Sequence, residues 1–252
     1  MPEPLLRVER VSKRFGGLLA VDDASFAVAA GGITALIGPN GAGKTTLFSI
    51  ISGFLAPSRG RIFHRGADIT RMPPYLLARR GIVRTFQTVQ PFAGLSVHEN
   101  IAVGAHLSRR SRAEALDRAA QVASTVGLGD LLDRPAASLT VAGRKRLELA
   151  RALATGPELL LLDEVLAGLN PAELATMVPT IRALAERGIT IVMIEHVMHA
   201  VMSLAGQVFV LVEGRVVAAG APASVVGDPR VIEAYLGHGA ATRLAAVGGP
   251  NV

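Results

Sequence analysis

Hydrophobic and polar residues alternate along this chain with two different periods, and together these patterns predict an α/β fold. Residues 32–37, 159–162 and 189–194 are mostly apolar, which is typical of strands buried on both faces of a parallel sheet. Residues 5–11 and 24–28 alternate apolar with polar positions, which predicts two antiparallel strands. Weaker strand patterns follow at residues 60–63 with 66–69, 81–87, 208–212 and 216–219.

Between these strands, apolar residues recur at helical spacing. A helix that we expect to end before Pro57 has the apolar stripe Leu47, Ile50, Ile51 and Phe54. Ser96 precedes Glu99 by three positions, which is the capping-box spacing of a helix start. Asn170 predicts a second helix start, with Pro171 at the first helical position and Glu173 at the third. Pro179 lies inside the helix that starts after Asn170 and is expected to kink or break it. The other predicted helices are residues 113–126, 141–153 and 229–236.

A glycine-rich loop lies between the strand at 32–37 and the helix that follows it. It fits the pattern G-x-x-x-x-G-K-[ST] and consists of Gly38, Pro39, Asn40, Gly41, Ala42, Gly43, Lys44, Thr45 and Thr46. In such a loop the main-chain N–H groups bind phosphate oxygens, the lysine contacts the β- and γ-phosphates, and the next hydroxyl ligates Mg²⁺. The helix start adds a positive dipole end. A glycine-rich turn that binds nothing is the alternative, and the strand and helix on either side argue against it.

Polar side chains follow three other buried strands. These are Gln87, the adjacent pair Asp163 and Glu164, and His196. Because the carboxyl ends of parallel strands meet at one edge of a sheet, we expect them to line a nucleotide crevice. Asp163 would hold Mg²⁺ through water, Glu164 would orient or deprotonate the attacking water, and His196 would contact the γ-phosphate. A lone histidine on a strand is usually structural, but this one completes an ordered set.

Composition limits the class of protein. The chain has 252 residues, half of them hydrophobic, which is enough for one large domain with an additional lobe. It has no cysteine, which excludes disulfides and thiolate metal sites and suits a reducing compartment. No apolar run reaches the ~18 residues of a membrane span. The first residues lack the charged-then-apolar pattern of a signal peptide, so none is expected.

The formal net charge is +6, from 26 basic and 20 acidic side chains. Arginine dominates, and basic residues cluster at 79–80, 109–112 and 144–146. Such clusters suit nucleic acid or an anionic membrane surface. No aromatic residues are interleaved with them, however, as in sites that stack bases. We therefore favour solvated helix faces, and no nucleic-acid partner is expected.

Taken in chain order, these motifs resemble the ATP-binding subunits of ABC transporters over nearly the whole chain. Four segments are similar to the branched-chain amino acid importer ATPases: FGGLLAV at 15–21, AGLNP at 167–171, IEH at 194–196 and DPRVIEAYLG at 228–237. The resemblance implies a P-loop NTPase (ABC ATPase) core with an antiparallel β subdomain and an inserted α-helical subdomain.

The resemblance also implies roles for individual residues. Phe15 would stack on adenine with Val21 beside it, although a lone phenylalanine there also suits a core position. Gln87 would ligate Mg²⁺ and sense the permease, and the two carboxylates and the histidine would have the roles given above. The expected catalytic residues are Lys44, Gln87, Glu164 and His196, and the expected metal ligands are Thr45, Gln87 and Asp163.

Two positions depart from the family's pattern. The signature loop is usually L-S-G-G-Q, and residues 139–143 match it as LTVAG. By resemblance, Thr140, Ala142 and Gly143 contact the γ-phosphate of an ATP held by a second subunit. Ala142 replaces the second glycine, and its Cβ limits how closely the main chain can approach a phosphate. Val165 stands where proline usually follows the catalytic glutamate, a change expected to matter less because both carboxylates are present.

We expect a single ABC ATPase domain over residues 1–252. Residues 1–87 would form the β subdomain and the first part of the core, residues 88–138 the helical subdomain, residues 139–237 the second part of the core, and residues 238–252 a mobile tail.

The implied function is ATP hydrolysis that energises an importer, with branched-chain amino acids as the substrate. The implied partners are transmembrane permease subunits, a second ATPase subunit that is a paralogue in a heterodimer, and, through the permease, an extracytoplasmic substrate-binding protein. The implied location is the cytoplasmic face of the cell (inner) membrane, as a peripheral subunit.

Three alternatives differ in substrate or class. An ABC ATPase for another substrate, such as lipopolysaccharide export, shares much of this pattern. A soluble ABC-type ATPase that acts on nucleic acid or ribosomes typically has a long coiled-coil insertion or a second tandem ATPase unit, and this sequence has neither. A P-loop nucleotide kinase does not explain an Asp163-Glu164 pair followed by His196.

Overall fold

A computed structural model describes residues 3–87 and 90–236 of the chain. In chain order its elements are β1 (Leu6–Phe15), β2 (Leu18–Val28), β3 (Ile33–Ile37), α1 (Lys44–Ile51), β4 (Arg59–His64), β5 (Ala67–Asp68), α2 (Pro74–Arg79), β6 (Ile82–Arg84), α3 (Val97–Ala105), α4 (Arg112–Thr125), α5 (Val141–Ala154), β7 (Leu159–Asp163), α6 (Pro171–Glu186), β8 (Thr190–Ile194), α7 (Met198–Leu204), β9 (Gln207–Val212), β10 (Arg215–Gly220), α8 (Pro222–Val226) and α9 (Pro229–Leu236). Short 3₁₀ turns at Gly129–Leu131 and Ala136–Ser138 connect α4 to α5.

The described chain divides into two compact units, residues 3–71 with 198–236 and residues 72–197. In the first unit, β2, β1, β4 and β5 form an antiparallel sheet in that order. Leu6 and Val8 of β1 are buried, as the alternating pattern predicts, and Val11 is buried after a register shift between Val8 and Val11. The same unit contains three further strands in the order β10-β9-β3. Strand β9 pairs with β3 in parallel and with β10 in antiparallel orientation.

The second unit contains the parallel strands β6, β7 and β8. All five residues of β7 and of β8 are buried, which explains why both segments are almost purely apolar. Helices α3, α4 and α5 lie between β6 and β7 in the chain and pack on one another. The helical character expected between residues 88 and 138 is therefore present in the described part, while its role as a separate subdomain stays a prediction.

The expected fold class is confirmed, since α-helices, an antiparallel sheet and parallel buried strands all occur. Both capping boxes form, with Ser96 accepting from the Glu99 N–H and Asn170 from the Glu173 N–H. Helices α2 and α8 were not predicted. The expected mobile tail at 238–252 lies outside the described residues.

Three local expectations are wrong. Strand β6 ends at Arg84 rather than at Gln87, because the Thr85 hydroxyl accepts the Asp163 N–H at 3.1 Å in place of a main-chain carbonyl. Helix α1 ends at Ile51, where Gly53 has a positive φ of 76°, and Phe54 is 52% exposed rather than part of the apolar stripe.

The third correction concerns Pro179, which does not break its helix. Helix α6 runs continuously from Pro171 to Glu186. A proline leaves the carbonyl four residues earlier without its helical donor. That carbonyl belongs to Ala175, and both Ala175 and Pro179 are exposed, so water can hydrate the freed oxygen.

Within the described residues, no helix is both long and apolar enough to span a membrane.

Candidate active site

The loop between β3 and α1 is built so tightly that two of its glycines cannot be replaced. Gly38 has a φ of 151° and Gly43 a φ of 99°. A Cβ at Gly38 would lie 2.0 Å from the carbonyl oxygen of Leu211, and one at Gly43 would lie 2.2 Å from that of Ala20. Only glycine avoids both the strained conformation and the clash. These contacts fix the curvature that directs main-chain N–H groups toward a bound anion.

Lys44 begins α1 and is only 6% exposed. Its Nζ donates to the carbonyl oxygens of Gly38 at 2.7 Å and Pro39 at 2.9 Å, which holds the ammonium group over the loop. No acidic residue lies in the first turn of α1, and its N-cap, Gly43, provides no side-chain acceptor. Thr45 is exposed beside it. The loop therefore offers N–H donors, a dipole and a fixed cation for a phosphate chain.

Phe15 and Val21 lie on neighbouring strands of the first unit. Phe15 ends β1 and is 44% exposed, so the interpretation of Phe15 as a core residue is wrong. Its ring lies 5.2 Å from Lys13 Nζ. Val21 is fully buried in β2. An exposed aromatic ring on a well-packed strand is suited to stacking on a planar ligand.

In the second unit the Glu164 carboxylate connects two of the predicted residues. One oxygen accepts a hydrogen bond from Gln87 Nε2, and the other lies 2.9 Å from His196 Nε2. The side chain of Glu164 is 16% exposed and that of His196 is 37% exposed. The structure thus brings Gln87, Glu164 and His196 together, as the strand-end rule predicts, although Gln87 lies beyond the end of its strand.

Asp163 ends β7 with its side chain almost fully buried. Its Oδ2 accepts from Arg84 on β6 at 2.7 Å, and both side chains are at most 6% exposed. Its other oxygen, Oδ1, is buried with no hydrogen-bond partner among the described residues. A buried carboxylate oxygen without a donor is costly unless a ligand completes it.

That oxygen fits Mg²⁺, which is bound in proteins by one or two carboxylates and completed by phosphate oxygens and water. No cluster of three or more His, Asp or Glu side chains in the described part of the chain could hold a metal by itself. A magnesium ion at Asp163 would therefore need oxygen ligands from a hydroxyl, an amide or a bound phosphate chain.

Three residues around this cluster were missed in the sequence. Arg84 pairs with Asp163, Lys145 Nζ donates to the Glu164 carbonyl oxygen at 2.9 Å, and Glu195 Oε1 accepts the Leu166 N–H at 2.8 Å. The available signal for Glu195 was an acidic residue directly after an almost purely apolar strand. Neither Arg84 nor Lys145 stands out, because each belongs to an arginine-rich chain and depends on strand register or helix packing.

Glu195 is completely buried. Burial raises its pKa to about 7, the Leu166 N–H and the Lys145 ammonium oppose that rise, and the nearby Glu164 carboxylate adds to it. A carboxyl group of this kind changes its charge near neutral pH.

In the loop expected to contact a second subunit's nucleotide, Thr140 is the N-cap of α5. Its hydroxyl accepts the Gly143 N–H at 3.1 Å. Ala142 is 7% exposed and Val141 is 64% exposed. The Gly143 N–H and the Thr140 oxygen are thus already joined to each other in the helix cap.

The loop of the first unit has the sequence and geometry of a phosphate-binding P-loop, and the second unit holds a buried aspartate, an adjacent glutamate and a histidine. Both features are typical of P-loop nucleotide hydrolases. A family model described as ABC transporter matches residues 21–167, and one described as branched-chain amino acid ATP-binding cassette transporter matches residues 215–241. The chain belongs to the ABC transporter family, as one of its ATP-binding subunits.

Curated relatives agree with this assignment over their full length. The high-affinity branched-chain amino acid transport ATP-binding protein LivG of Salmonella typhimurium is 41% identical over 254 residues, covering 94% of this chain and 100% of that protein. The corresponding protein BraF of Pseudomonas aeruginosa is 39% identical with the same coverage. A probable LivG of Methanocaldococcus jannaschii is 34% identical, covering 93% of this chain and 98% of that protein.

Solved structures agree as well. A nucleotide-free ATP-binding cassette from an ABC transporter has a TM-score of 0.85 and 33% identity, covering 92% of this chain and 99% of that one. An ATP-binding cassette in its ADP conformation also has a TM-score of 0.85 and 33% identity, covering 94% and 100%. The chain is therefore an ATPase whose hydrolysis is coupled to transport through permease components, and the nucleotide-kinase alternative is excluded.

The buried Glu195 leads to a prediction about stability and pH. Its folded pKa of about 7 lies above its usual 4.5, so the neutral carboxyl stabilises the fold at low pH and that contribution is lost as the pH rises through 7. The variant Glu195→Gln has no proton to lose. Its free energy of unfolding should therefore rise relative to wild type by roughly 2 kcal/mol between pH 5 and pH 8.

Urea denaturation of both proteins at four pH values measures this difference. Glu186→Gln, at the exposed end of α6, is the matched control and should show no such trend. A constant difference between Glu195→Gln and wild type across the range would contradict the assignment of a buried carboxyl that titrates near 7.

Proposed function

We propose that this chain is the ATP-hydrolysing subunit of an importer of branched-chain amino acids, bound to the cytoplasmic face of the cell membrane through its permease. The observation that supports this most is the full-length similarity, at about 40% identity, to proteins described as branched-chain amino acid transport ATP-binding proteins. The match of residues 215–241 to the branched-chain family model supports the same substrate class. In this assembly an extracytoplasmic binding protein reaches the ATPase only through the permease.

ATP binding is assigned to the glycine-rich loop. The α-, β- and γ-phosphates accept from the main-chain N–H groups of residues 38–46, and the Lys44 ammonium exchanges its carbonyl partners for the β- and γ-phosphates. The exposed ring of Phe15 stacks on adenine, with Val21 beside it. Thr45, Gln87 and Asp163 are the proposed ligands of Mg²⁺, which when bound would offset the negative charge of the phosphates.

Hydrolysis is assigned to the cluster around Glu164. Its carboxylate orients the attacking water and accepts the water's proton, which is the role of a general base. Gln87 and His196, which contact its two oxygens, fix the direction of those oxygens. During the reaction His196 donates from Nε2 to the γ-phosphate, and Gln87 transfers its contact to the nucleotide side of the site.

Replacing Glu164 by glutamine should separate binding from chemistry. Without the base, Glu164→Gln should lose ~10²–10⁴-fold in turnover, while its ATP affinity stays within a few-fold of wild type. Lys44→Ala should instead weaken ATP affinity by at least ~10-fold, because a charge-assisted contact to phosphate is lost. Steady-state phosphate release and a fluorescent-nucleotide titration measure the two effects. Near-normal turnover of Glu164→Gln would contradict a role of Glu164 as the base. Unchanged ATP affinity of Lys44→Ala would contradict the assignment of the glycine-rich loop as the phosphate-binding site.

We also propose that residues 88–138 form the lobe that docks on the permease. Two interactions order the described start of this segment. Asn100 is fully buried. Its Oδ1 accepts the Phe92 N–H, and its Nδ2 donates to the Phe92 carbonyl oxygen. The Arg151 guanidinium lies 5.3 Å from the Phe92 ring. Phe92 and Val103 nevertheless remain 48% and 45% exposed, so rigid apolar groups face outward, which suits a protein contact.

A photo-cross-linking residue at Val103 tests both the docking surface and the substrate class. We expect it to capture a permease, and mass spectrometry of the product should identify a branched-chain amino acid importer. The same residue at the exposed Ala175 of α6 is the control and should capture much less. Capture of a lipopolysaccharide-export permease would favour an export ATPase instead. Exclusive capture of ribosomal or nucleic-acid components would contradict a transporter role.

The altered signature loop leads us to propose a heterodimer with a paralogous ATPase. The partner's signature loop completes the site in which the Lys44 loop binds ATP. The ATP bound by the partner contacts Thr140, Ala142 and Gly143 of this chain. The Ala142 Cβ and the engagement of the Gly143 N–H with Thr140 both limit this second contact. The start of α5 still offers a dipole and N–H donors, so binding survives there with poorer geometry.

The asymmetry predicts unequal effects of the two loop lysines. In the mixed dimer, Lys44→Ala should abolish most hydrolysis, and the matching substitution in the partner should reduce it less. Phosphate release by each mixture measures the difference. Equal losses would contradict the asymmetry, and a fully active, ATP-driven dimer of this chain alone would contradict the heterodimer.

A further inference from the structure

Glu164 has a main-chain conformation that a glutamate rarely adopts. Its φ is 51°, in the left-handed region, directly after the regular strand β7. In this region the Cβ crowds the main chain, so a residue other than glycine stays there only if its surroundings hold it. Asp163, one residue earlier, still pairs with Ile194 in the sheet. The reversal is therefore confined to the residue whose carboxylate is the proposed base.

Three hydrogen bonds hold the main chain on both sides of this reversal. The Glu164 N–H donates to the Ile194 carbonyl oxygen at 3.0 Å. The Glu164 carbonyl oxygen accepts from Lys145 Nζ at 2.9 Å. Two residues on, the Leu166 N–H donates to Glu195 Oε1 at 2.8 Å. The first bond is ordinary sheet pairing, whereas the other two depend on charged side chains from α5 and from the end of β8.

Both of these side chains are withdrawn from water to make their contacts. Glu195 is completely buried and Lys145 is half-buried. Burial lowers the pKa of Lys145, while the Glu195 and Glu164 carboxylates act in the opposite direction. Desolvating two ionisable groups is unfavourable. The buried Leu166 N–H needs an acceptor inside the protein, whereas the carbonyl oxygen of the half-buried Glu164 has no need of an ammonium group. Two ionisable side chains from different elements thus converge on the main chain around Glu164.

We propose that Lys145 and Glu195 are positioning residues for catalysis, which hold Glu164 in its left-handed conformation so that its carboxylate faces Gln87 and His196. This inference rests on the proposed role of Glu164 as the base. If the main chain at residue 164 relaxed to negative φ, the Cβ would change direction and the carboxylate would leave its two contacts. Displacements near 1 Å in such a group can reduce a rate about 10²-fold.

Paired substitutions at each position test the proposal. Lys145→Met removes the donor and Lys145→Arg restores one. Glu195→Leu removes the acceptor and Glu195→Gln keeps an oxygen for the Leu166 N–H. We expect kcat for ATP hydrolysis to fall by ~10–100-fold in the Met and Leu variants, with KM for ATP within about two-fold of wild type. The Arg and Gln variants should recover most of the lost kcat.

Arg118→Met is the matched control. Arg118 is also a half-buried cation of the second unit that donates to a main-chain carbonyl, that of Leu153, away from residues 163–166. Its kcat should stay near wild type. A loss of kcat in Arg118→Met as large as that in Lys145→Met, or no recovery in Lys145→Arg and Glu195→Gln, would overturn the positioning role in favour of general destabilisation.

The double variant Lys145→Met with Glu164→Gln separates this inference from the proposed function. If Lys145 acts through Glu164, its substitution should not lower single-turnover hydrolysis further once Glu164 is glutamine. A further ~10-fold loss in that background would refute action through Glu164. Normal kcat in Lys145→Met beside an inactive Glu164→Gln would refute the positioning role alone, whereas an active Glu164→Gln would refute the base itself.

Discussion

A negative charge buried at the end of an apolar strand is the constraint on which the catalytic unit depends. Asp163 is 3% exposed and follows four buried leucines, so its ionised form requires a partner inside the protein. Arg84 supplies it from the neighbouring strand, and removing one member of such a buried pair typically costs about 3–5 kcal/mol. The pair therefore fixes the alignment of β6 with β7. It leaves one carboxylate oxygen, Oδ1, for a ligand.

The Arg84–Asp163 pair also determines where the residues that follow it in the chain lie. Gln87 follows Arg84 by three residues and Glu164 follows Asp163 directly, so anchoring Arg84 to Asp163 also brings the amide to the carboxylate. His196 joins them from β8, which pairs with β7 through Asp163 and Ile194. A short apolar sheet is stiff because its strands are buried on both faces. Polar groups at its ends are thus held with a precision that a surface loop would lack.

The phosphate loop of the first unit obtains its rigidity from steric exclusion rather than from charge. Gly38 and Gly43 lie against the carbonyl oxygens of Leu211 and Ala20 with no room for a Cβ. The Lys44 ammonium is held by two carbonyl oxygens of the same loop. The loop is therefore preorganised for phosphate, and a ligand need not supply the free energy of ordering it.

Periodicity and motif spacing in the sequence were enough to predict the α/β fold class, the glycine-rich loop between strand and helix, the helix starts at Ser96 and Asn170, and the meeting of Gln87, Glu164 and His196. Such features follow from local chemistry and from the general rule that parallel strand ends share an edge. Helices α2 and α8 were not predicted because each has a single buried residue, Leu77 in α2 and Val225 in α8, and therefore no apolar stripe. Only the tertiary structure decided that Arg84 pairs with Asp163, that Lys145 and Glu195 hold the main chain around Glu164, and that Glu164 itself is left-handed. Those contacts depend on strand register and on packing between residues up to 79 positions apart, for which a sequence has no local signal.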